Sequence, residues 1–460
     1  LFHNLREKMK ITLTHQARIE ASEFHIKQIE NRCTHDNPKY YDAIKQNRYA
    51  GNIPRQIVLS SRMGDGGLMV PIGMVKRLCR EYPAQIIDQR HVVPVQIGFT
   101  GKLRDYQRQF VIEAARAGGG VMVAATGSGK TVSGIALAAQ LGQRCLILVK
   151  SKDLAEQWKG AIHQFTGLDA GMIGGGKDTE GDQFTVATVQ TLVKRDLSQL
   201  DYGMVIADEC HNAPADQFYR VITGLDCRYK YGLSATPQRR DSLEFMIFAA
   251  LGPVVSEIKP EQLEGKVLPV NVEMIEYPFE HGTPESWAEY IDKIVNDDDR
   301  NDEIISRIEL AQIAYPGGVV VLSQQVKHCE ILAEMAEAAR LEPLLIHGQL
   351  PAKTRQERME KAPGASLIIG TTSLLSEGID WPHLGILIFA TPQSAVIEKD
   401  GQPAATKLIQ SIGRCRRPYP GKTTAYVIDL VDRCAFGYAT AKKRRAIYQM
   451  QGFSVEYVAW

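Results

Sequence analysis

Chemistry is most legible at Gly127-Ser128-Gly129-Lys130-Thr131. Two glycines without Cβ let backbone N–H groups close around phosphate oxygens. The run follows an apolar segment that reads as a strand and opens one that reads as a helix, so phosphate would also meet a positive helix end. Lys130 has the reach for the outer phosphates of a nucleoside triphosphate, and Thr131 offers a hydroxyl to Mg²⁺. The full pattern asks for one more Gly, at position 124, where this chain has Ala124.

A second cluster is Asp208-Glu209, which closes the apolar run YGMVIAD. Carboxylates at a strand end sit at the ligand edge of an α/β sheet. Asp208 suits a Mg²⁺ held through water, and Glu209 suits polarising an attacking water. A lone Asp-Glu pair is usually a solvated turn; behind an apolar strand and downstream of a phosphate loop it becomes specific. The third cluster is Gln410-Ser411-Ile412-Gly413-Arg414-Cys415-Arg416-Arg417. If helical, it puts Arg414 and Arg417 on one face. Either these arginines stabilise charge on a transferring phosphoryl group held by a neighbouring domain, or they form a basic face for nucleic acid or solvent. Coexistence with a phosphate loop favours the first, with the nucleotide in a cleft between domains.

These clusters need elements to hold them. GVMVAA, RCLILVK, FTVATV and YGMVIAD read as buried parallel strands alternating with helices, which predicts a doubly wound α/β domain over residues 98–255. GGVVVLS, PLLIHG, ASLIIGT, GILIFA and TTAYVIDL repeat the pattern and predict a second domain over residues 301–435. Residues 256–300 are expected as an interdomain linker, with the acidic run 297–299 as a solvated face. Residues 436–460 are expected as a helix and tail, in which Lys442-Lys443-Arg444-Arg445 is either a phosphate contact or a solvated face. Residues 394–406 form an extra loop, either a hairpin turning at Asp400-Gly401 that could wedge strands apart or a floppy connection. Ahead of these lies a small α+β domain, residues 1–97. ITLTHQARIEA alternates as a strand through Ile11, Leu13 and Ile19, and residues 70–82 have helical spacing.

The 460 residues are 44% hydrophobic and 23% charged, which excludes a mostly disordered or collagen-like chain. No apolar stretch reaches the roughly 18 residues of a membrane span. The opening LFHNLREKMK lacks the apolar core of a signal peptide; Met9 is read as the native start and residues 1–8 as an addition. Eight scattered cysteines without a C-x-x-C pair, and Cys33 with His35 as the one close couple, speak for reduced structural thiols of the cytoplasm rather than a metal site. Residues 1–100 hold 15 Lys/Arg against 9 Asp/Glu, leaving 39 against 44 in the rest. A basic module on a mildly acidic body is a candidate polyanion-binding piece; ordinary scatter is the competing reading.

Over residues 100–430 the chain resembles a superfamily 2 helicase of the DExH form. LRDYQ at 103–107 resembles the adenine-sensing Q-motif region, AATGSGKT matches motif I, and KSKDLAEQW and VATVQTL are similar to motifs Ia and Ib. DECH is motif II, SAT at 234–236 motif III, HG at 347–348 and GTTSLLSEGID at 370–380 motifs IVa and V, and QSIGRCRR motif VI. Within the superfamily the chain resembles the UvsW and XPB-like group, and in it the branch-migration DNA helicases of T5-like phages. It departs in having Lys150 where motif Ia has Pro, and in having only Arg239-Arg240-Asp241 near the Arg-Glu-Asp motif of XPB-like proteins.

The resemblance implies two tandem RecA-like parallel-sheet domains, ATP and Mg²⁺ as cofactors, and a monomer that unwinds or branch-migrates forked and Holliday-type DNA, moving 3′ to 5′, in the host cytoplasm. A duplex translocase that never separates strands and an RNA helicase are the alternatives. Gln107 and Arg104 would read adenine. Thr126, Gly127, Ser128, Gly129, Lys130 and Thr131 would hold phosphates, and Gly378 and Asp380 would sense nucleotide. His211, Ser234, Thr236 and Gln410 would couple the motifs. Ser151, Gln157, Thr188, Gln190, Thr191, Thr372 and Ser373 would touch the nucleic-acid backbone, which suits hydroxyls and amides that do not read sequence. Trp158 would stack on a base or pack as the i+4 partner of Leu154.

Overall fold

The structure is a computed structural model. It describes residues 9–124, 127–210, 215–235, 242–259, 262, 267–315, 317–372, 381–393, 395–397, 403–404 and 406–459. The chain divides into two compact units, Leu1–Ile258 and Lys259–Trp460.

The larger sheet of the first unit has eight strands, in the order Lys177–Thr179, Gly171–Gly174, Phe184–Thr188, Cys145–Val149, Met204–Ala207, Tyr229–Ser234, Gly120–Ala124 and Val254–Ile258. All pair in parallel except the first, which folds back as an edge hairpin. Every residue of Cys145–Val149, Phe184–Thr188 and Met204–Ala207 is buried. Helices cover both faces of such a sheet, and this is why its strands read as unbroken apolar runs.

Residues 9–88 build a separate five-stranded sheet, ordered Ser61–Arg62, Leu68–Val70, Ala17–Glu20, Met9–Leu13 and Ala84–Asp88. The alternating segment expected as one strand is two, Met9–Leu13 and Ala17–Glu20, paired antiparallel with Ile11 opposite Ile19. Its apolar face does not close on itself alone: Ile11, Ile19, Leu68 and Leu78 share a core with Leu243, Met246 and Ala249 of the larger sheet's flank. The approach is close enough that Gly73 has no room for a side chain. A Cβ there would sit 2.2 Å from the Phe248 carbonyl oxygen. The surplus positive charge is partly neutralised locally, as Arg62 binds Glu23 and Glu30 and Arg18 binds Asp65.

The second unit carries seven parallel strands, in the order Leu344–Ile346, Leu367–Thr371, Gly318–Ser323, Leu384–Phe389, Ala425–Asp432, Val270–Tyr277 and Ser454–Val458. Three sequence expectations change here. The segment 256–300 is not a linker: Val270–Tyr277 runs in register with all of Ala425–Asp432, and Trp287–Val295 is a helix. The acidic run is a helix start. Asp297 Oδ1 accepts the Arg300 N–H, and Asp298 and Asp299 fill the first turn of Asp298–Ala314, where negative charge meets the positive helix end. The tail is likewise structural. After helix Ala435–Met450 the chain adds the edge strand Ser454–Val458. In the basic run of that helix Lys442, Lys443 and Arg445 are exposed, but Arg444 is fully buried on Asp429 at 2.7 Å, so it is no phosphate contact.

The loop 394–406 holds a short antiparallel ladder, Val396 opposite Ala404 and Ile397 opposite Pro403; its turn lies outside the described residues. Among the described residues no helix is long and apolar enough to cross a membrane.

Candidate active site

Parallel order brings the motifs of the first unit to one edge. Lys130 follows Gly120–Ala124, Ser234 ends Tyr229–Ser234, Asp208 follows Met204–Ala207, Ser151 follows Cys145–Val149, and Thr188 ends Phe184–Thr188. All are carboxyl ends of neighbouring strands, where α/β folds bind ligands.

The phosphate loop keeps its glycines for stated reasons. Gly127 and Gly129 have φ of +85° and +88°, a region that strains residues with a side chain. A Cβ on Gly129 would also sit 2.3 Å from Gln107 Nε2. The helix Lys130–Leu141 opens directly from this loop. Gln107 is buried, and its amide is used at both ends: Nε2 donates to the Ser128 carbonyl at 2.8 Å and Oε1 accepts the Arg104 N–H at 2.9 Å. Here Gln107 braces the loop itself. Arg104 is exposed and donates to the Tyr106 hydroxyl.

Lys130 donates to the Ala124 carbonyl at 3.2 Å and pairs with Glu209 at 3.5 Å, both side chains mostly shielded from water. Glu209 has a φ of +46°, a left-handed conformation uncommon for a residue with a side chain. Its N–H donates back to Asp208 Oδ1 at 2.9 Å. Burial first, and then the charge of Glu209, push the Asp208 carboxyl above the usual range. The Trp158 N–H and Lys130 oppose the rise. Trp158 is 1% exposed and donates Nε1–H to Asp208 Oδ2 at 2.7 Å. Base stacking is thereby excluded for Trp158: its ring is core, and its polar atom serves the acidic pair.

Among the expected backbone contacts, Gln157 and Gln190 are exposed, while Ser151 caps helix Lys152–Thr166 by accepting the Leu154 N–H. Thr188 and Thr191 share a hydrogen bond of 2.8 Å. Thr372 is buried and donates to the Ser323 carbonyl, which turns its hydroxyl inward. Thr126, His211, Thr236, Ser373, Gly378 and Asp380 lie outside the described residues, as does the run 239–241.

In the second unit Gln410 and Arg414 lie on helix Thr406–Cys415, and Arg417 lies beyond its end. The shared helix face expected for the two arginines is therefore not formed. Pro418 explains this, because the residue before a proline is steered out of the helical region. Burial pushes the Arg417 guanidinium pKa down. Lys422 holds the turn together by donating to the carbonyls of Pro382, Leu384, Cys415 and Arg417. A constellation missed in the sequence reading lies at the end of Gly318–Ser323. His328, buried, meets Ser323 Oγ at 3.0 Å and Asn301 Oδ1 at 2.8 Å.

A phosphate loop and an acidic pair on one α/β sheet, followed by a second sheet of the same kind with an arginine-bearing helix, define a two-domain nucleotide-driven motor core. The sequence comparisons agree. Residues 100–239 match the family "Type III restriction enzyme, res subunit", and residues 301–418 match "Helicase conserved C-terminal domain". The chain belongs to the superfamily 2 helicases. It is 26% identical over 382 residues to a probable helicase of Escherichia phage T5, covering 80% of each protein. It is 28% identical over 334 residues to a putative DNA 3′-5′ helicase, Rad25, of Haloarcula marismortui, covering 69% of this chain but only 52% of that protein. The fold is similar to that of S. cerevisiae Dbp5 bound to RNA and ADP BeF3, with a TM-score of 0.55 at 16% identity over 85% of this chain and 94% of that one.

Proposed function

We propose that the chain is an ATP-dependent DNA helicase, moving 3′ to 5′, that unwinds or branch-migrates forked and Holliday-type DNA in recombination, repair or replication. The observation that carries the reading is the assembly of Lys130, Asp208 and Glu209 at one sheet edge, with Lys130 already paired to the Glu209 carboxylate. DNA is favoured over RNA because several relatives are named as DNA 3′-5′ helicases, against one named as a putative ATP-dependent RNA helicase.

ATP suits the loop, whose two left-handed glycines leave backbone N–H groups free of Cβ cover. Mg²⁺ suits the hard oxygen donors Thr131 and Asp208; bound there, it would neutralise charge on the phosphates. Lys130 then exchanges Glu209 and the Ala124 carbonyl for phosphate oxygens. Glu209, released, orients the attacking water. Gln107 holds the loop through Ser128 whether or not it also meets adenine. Arg414 and Arg417 are our candidates for stabilising charge on a transferring phosphoryl group. Gln157, Gln190 and Thr191 offer sequence-blind contacts to a strand.

The basic module of residues 1–97 is our candidate for duplex or junction binding. Deleting it would uncover Leu243, Met246 and Ala249, so Lys45→Glu with Arg48→Glu, both exposed positions, is the cleaner test.

The deciding experiment is ATP-dependent unwinding of a synthetic Holliday junction, a fork, a linear partial duplex and an RNA partial duplex. Preferential resolution of junction and fork supports the proposal. ATP consumption without strand separation on any substrate would make the protein a duplex translocase, and equal activity on RNA would make it an RNA helicase.

A further inference from the structure

We infer that Trp158 is a positioning residue that carries strand engagement to the acidic pair; this rests on the helicase reading above. One side chain touches both halves of the nucleotide site. The indole N–H donates to Asp208 Oδ2 at 2.7 Å. The other end of the ring lies against Gly134 in the helix that opens from the phosphate loop, where a Cβ would come within 3.0 Å of Trp158 Cη2. With Oδ1 held by the Glu209 N–H and Oδ2 by Trp158, the Asp208 carboxylate has a fixed orientation.

Trp158 belongs to helix Lys152–Thr166, which starts at Ser151 and exposes Gln157, the residue directly before it. The proposed strand contacts and the indole thus share one rigid element. Close-packed surroundings transmit a displacement rather than absorbing it, so a strand that shifts this helix also shifts the donor of Asp208. Tryptophan fits this role because it combines a large apolar plate with a single N–H at its edge. Phenylalanine would fill most of the space and leave Asp208 without that donor.

The test is Trp158→Phe in the full chain. Two quantities are read: the ratio of ATP turnover with a saturating single-stranded oligonucleotide to turnover without it, and the affinity for that oligonucleotide without nucleotide. Loss of a hydrogen bond to a charged group predicts a stimulation ratio about tenfold lower, with affinity unchanged. An unchanged ratio, or affinity that falls in step with it, overturns the inference. Wild-type protein that no strand stimulates would contradict the helicase reading itself, and this inference with it.

A second measurement needs no change at Trp158. Full-length protein labelled with 5-fluorotryptophan gives a ¹⁹F resonance for this residue, identified by replacing Trp287, Trp381 and Trp460 in turn with Phe. That resonance should move on adding oligonucleotide alone and on adding MgADP alone. A response to only one of them, or to neither, overturns the inference.

Discussion

The two parallel sheets bury charge in opposite ways. In the first unit the acid sits half-buried at the ligand edge: burial and the charge of Glu209 push the Asp208 carboxyl pKa up, and Glu209 is held left-handed. In the second unit the buried acids lie inside the fold and are saturated with donors. Asp432 takes Arg300 at 2.7 Å and the Tyr290 hydroxyl, and Asp429 takes Arg444 at 2.7 Å and the Tyr448 hydroxyl. All four charged groups are 0% exposed. One set faces the edge where a ligand would bind. The other is pinned and serves to fix helices Asp298–Ala314 and Ala435–Met450 to the sheet.

The largest expected effect breaks the pinned set. Asp429→Ala strands Arg444 in the interior and should destabilise the second unit by about 3–5 kcal/mol in a urea titration. A loss below about 1 kcal/mol would show that water reaches Arg444. Lys130→Ala does the reverse. ATP turnover should fall at least about a hundredfold, while the urea midpoint barely moves. A large stability loss there would place Lys130 with the structural charges.

The third prediction concerns His328, whose pKa burial lowers from 6.5 to about 3. Below the unfolded value the unfolded chain takes up a proton that the native chain refuses. Its contribution is therefore intact above pH 6.5 and is lost as pH falls from there towards 3. By pH 5 the loss is about 2 kcal/mol relative to pH 8. His328→Gln should remove that part of the acid slope, so that the stability difference between wild type and variant falls by about 2 kcal/mol from pH 8 to pH 5; parallel curves would show that His328 does not carry it. The smallest effect is at Gln107→Ala, where loss of the bond to Ser128 should cost about 1 kcal/mol of stability. It should weaken ATP binding more than that, since the loop loses its brace; equal losses would make Gln107 a packing residue only.

Much of this was legible from local pattern. Cys145–Val149 and Gly318–Ser323 are strands because they are apolar throughout, and the phosphate loop and Asp208-Glu209 follow such strands directly. Features decided by distant partners were not. Val270–Tyr277 carries Glu273 and Glu276 and reads as a mixed linker, yet it lies inside the sheet because residues 425–432 and 454–458 pair on either side of it. Arg444 looks like its exposed neighbours until Asp429 is found beneath it. The Trp158 bond spans 50 positions to Asp208, and only the fold brings them together. The end of the arginine helix at Cys415 did have a local signal, in Pro418.

The measurement that tests the account most directly is ATP hydrolysis, with and without single-stranded DNA, by the wild-type chain and by Glu209→Gln. Turnover should rise with DNA in the wild type and disappear in the variant, while the variant still binds ATP. Turnover that survives loss of the Glu209 carboxylate, or that no nucleic acid stimulates, would contradict it.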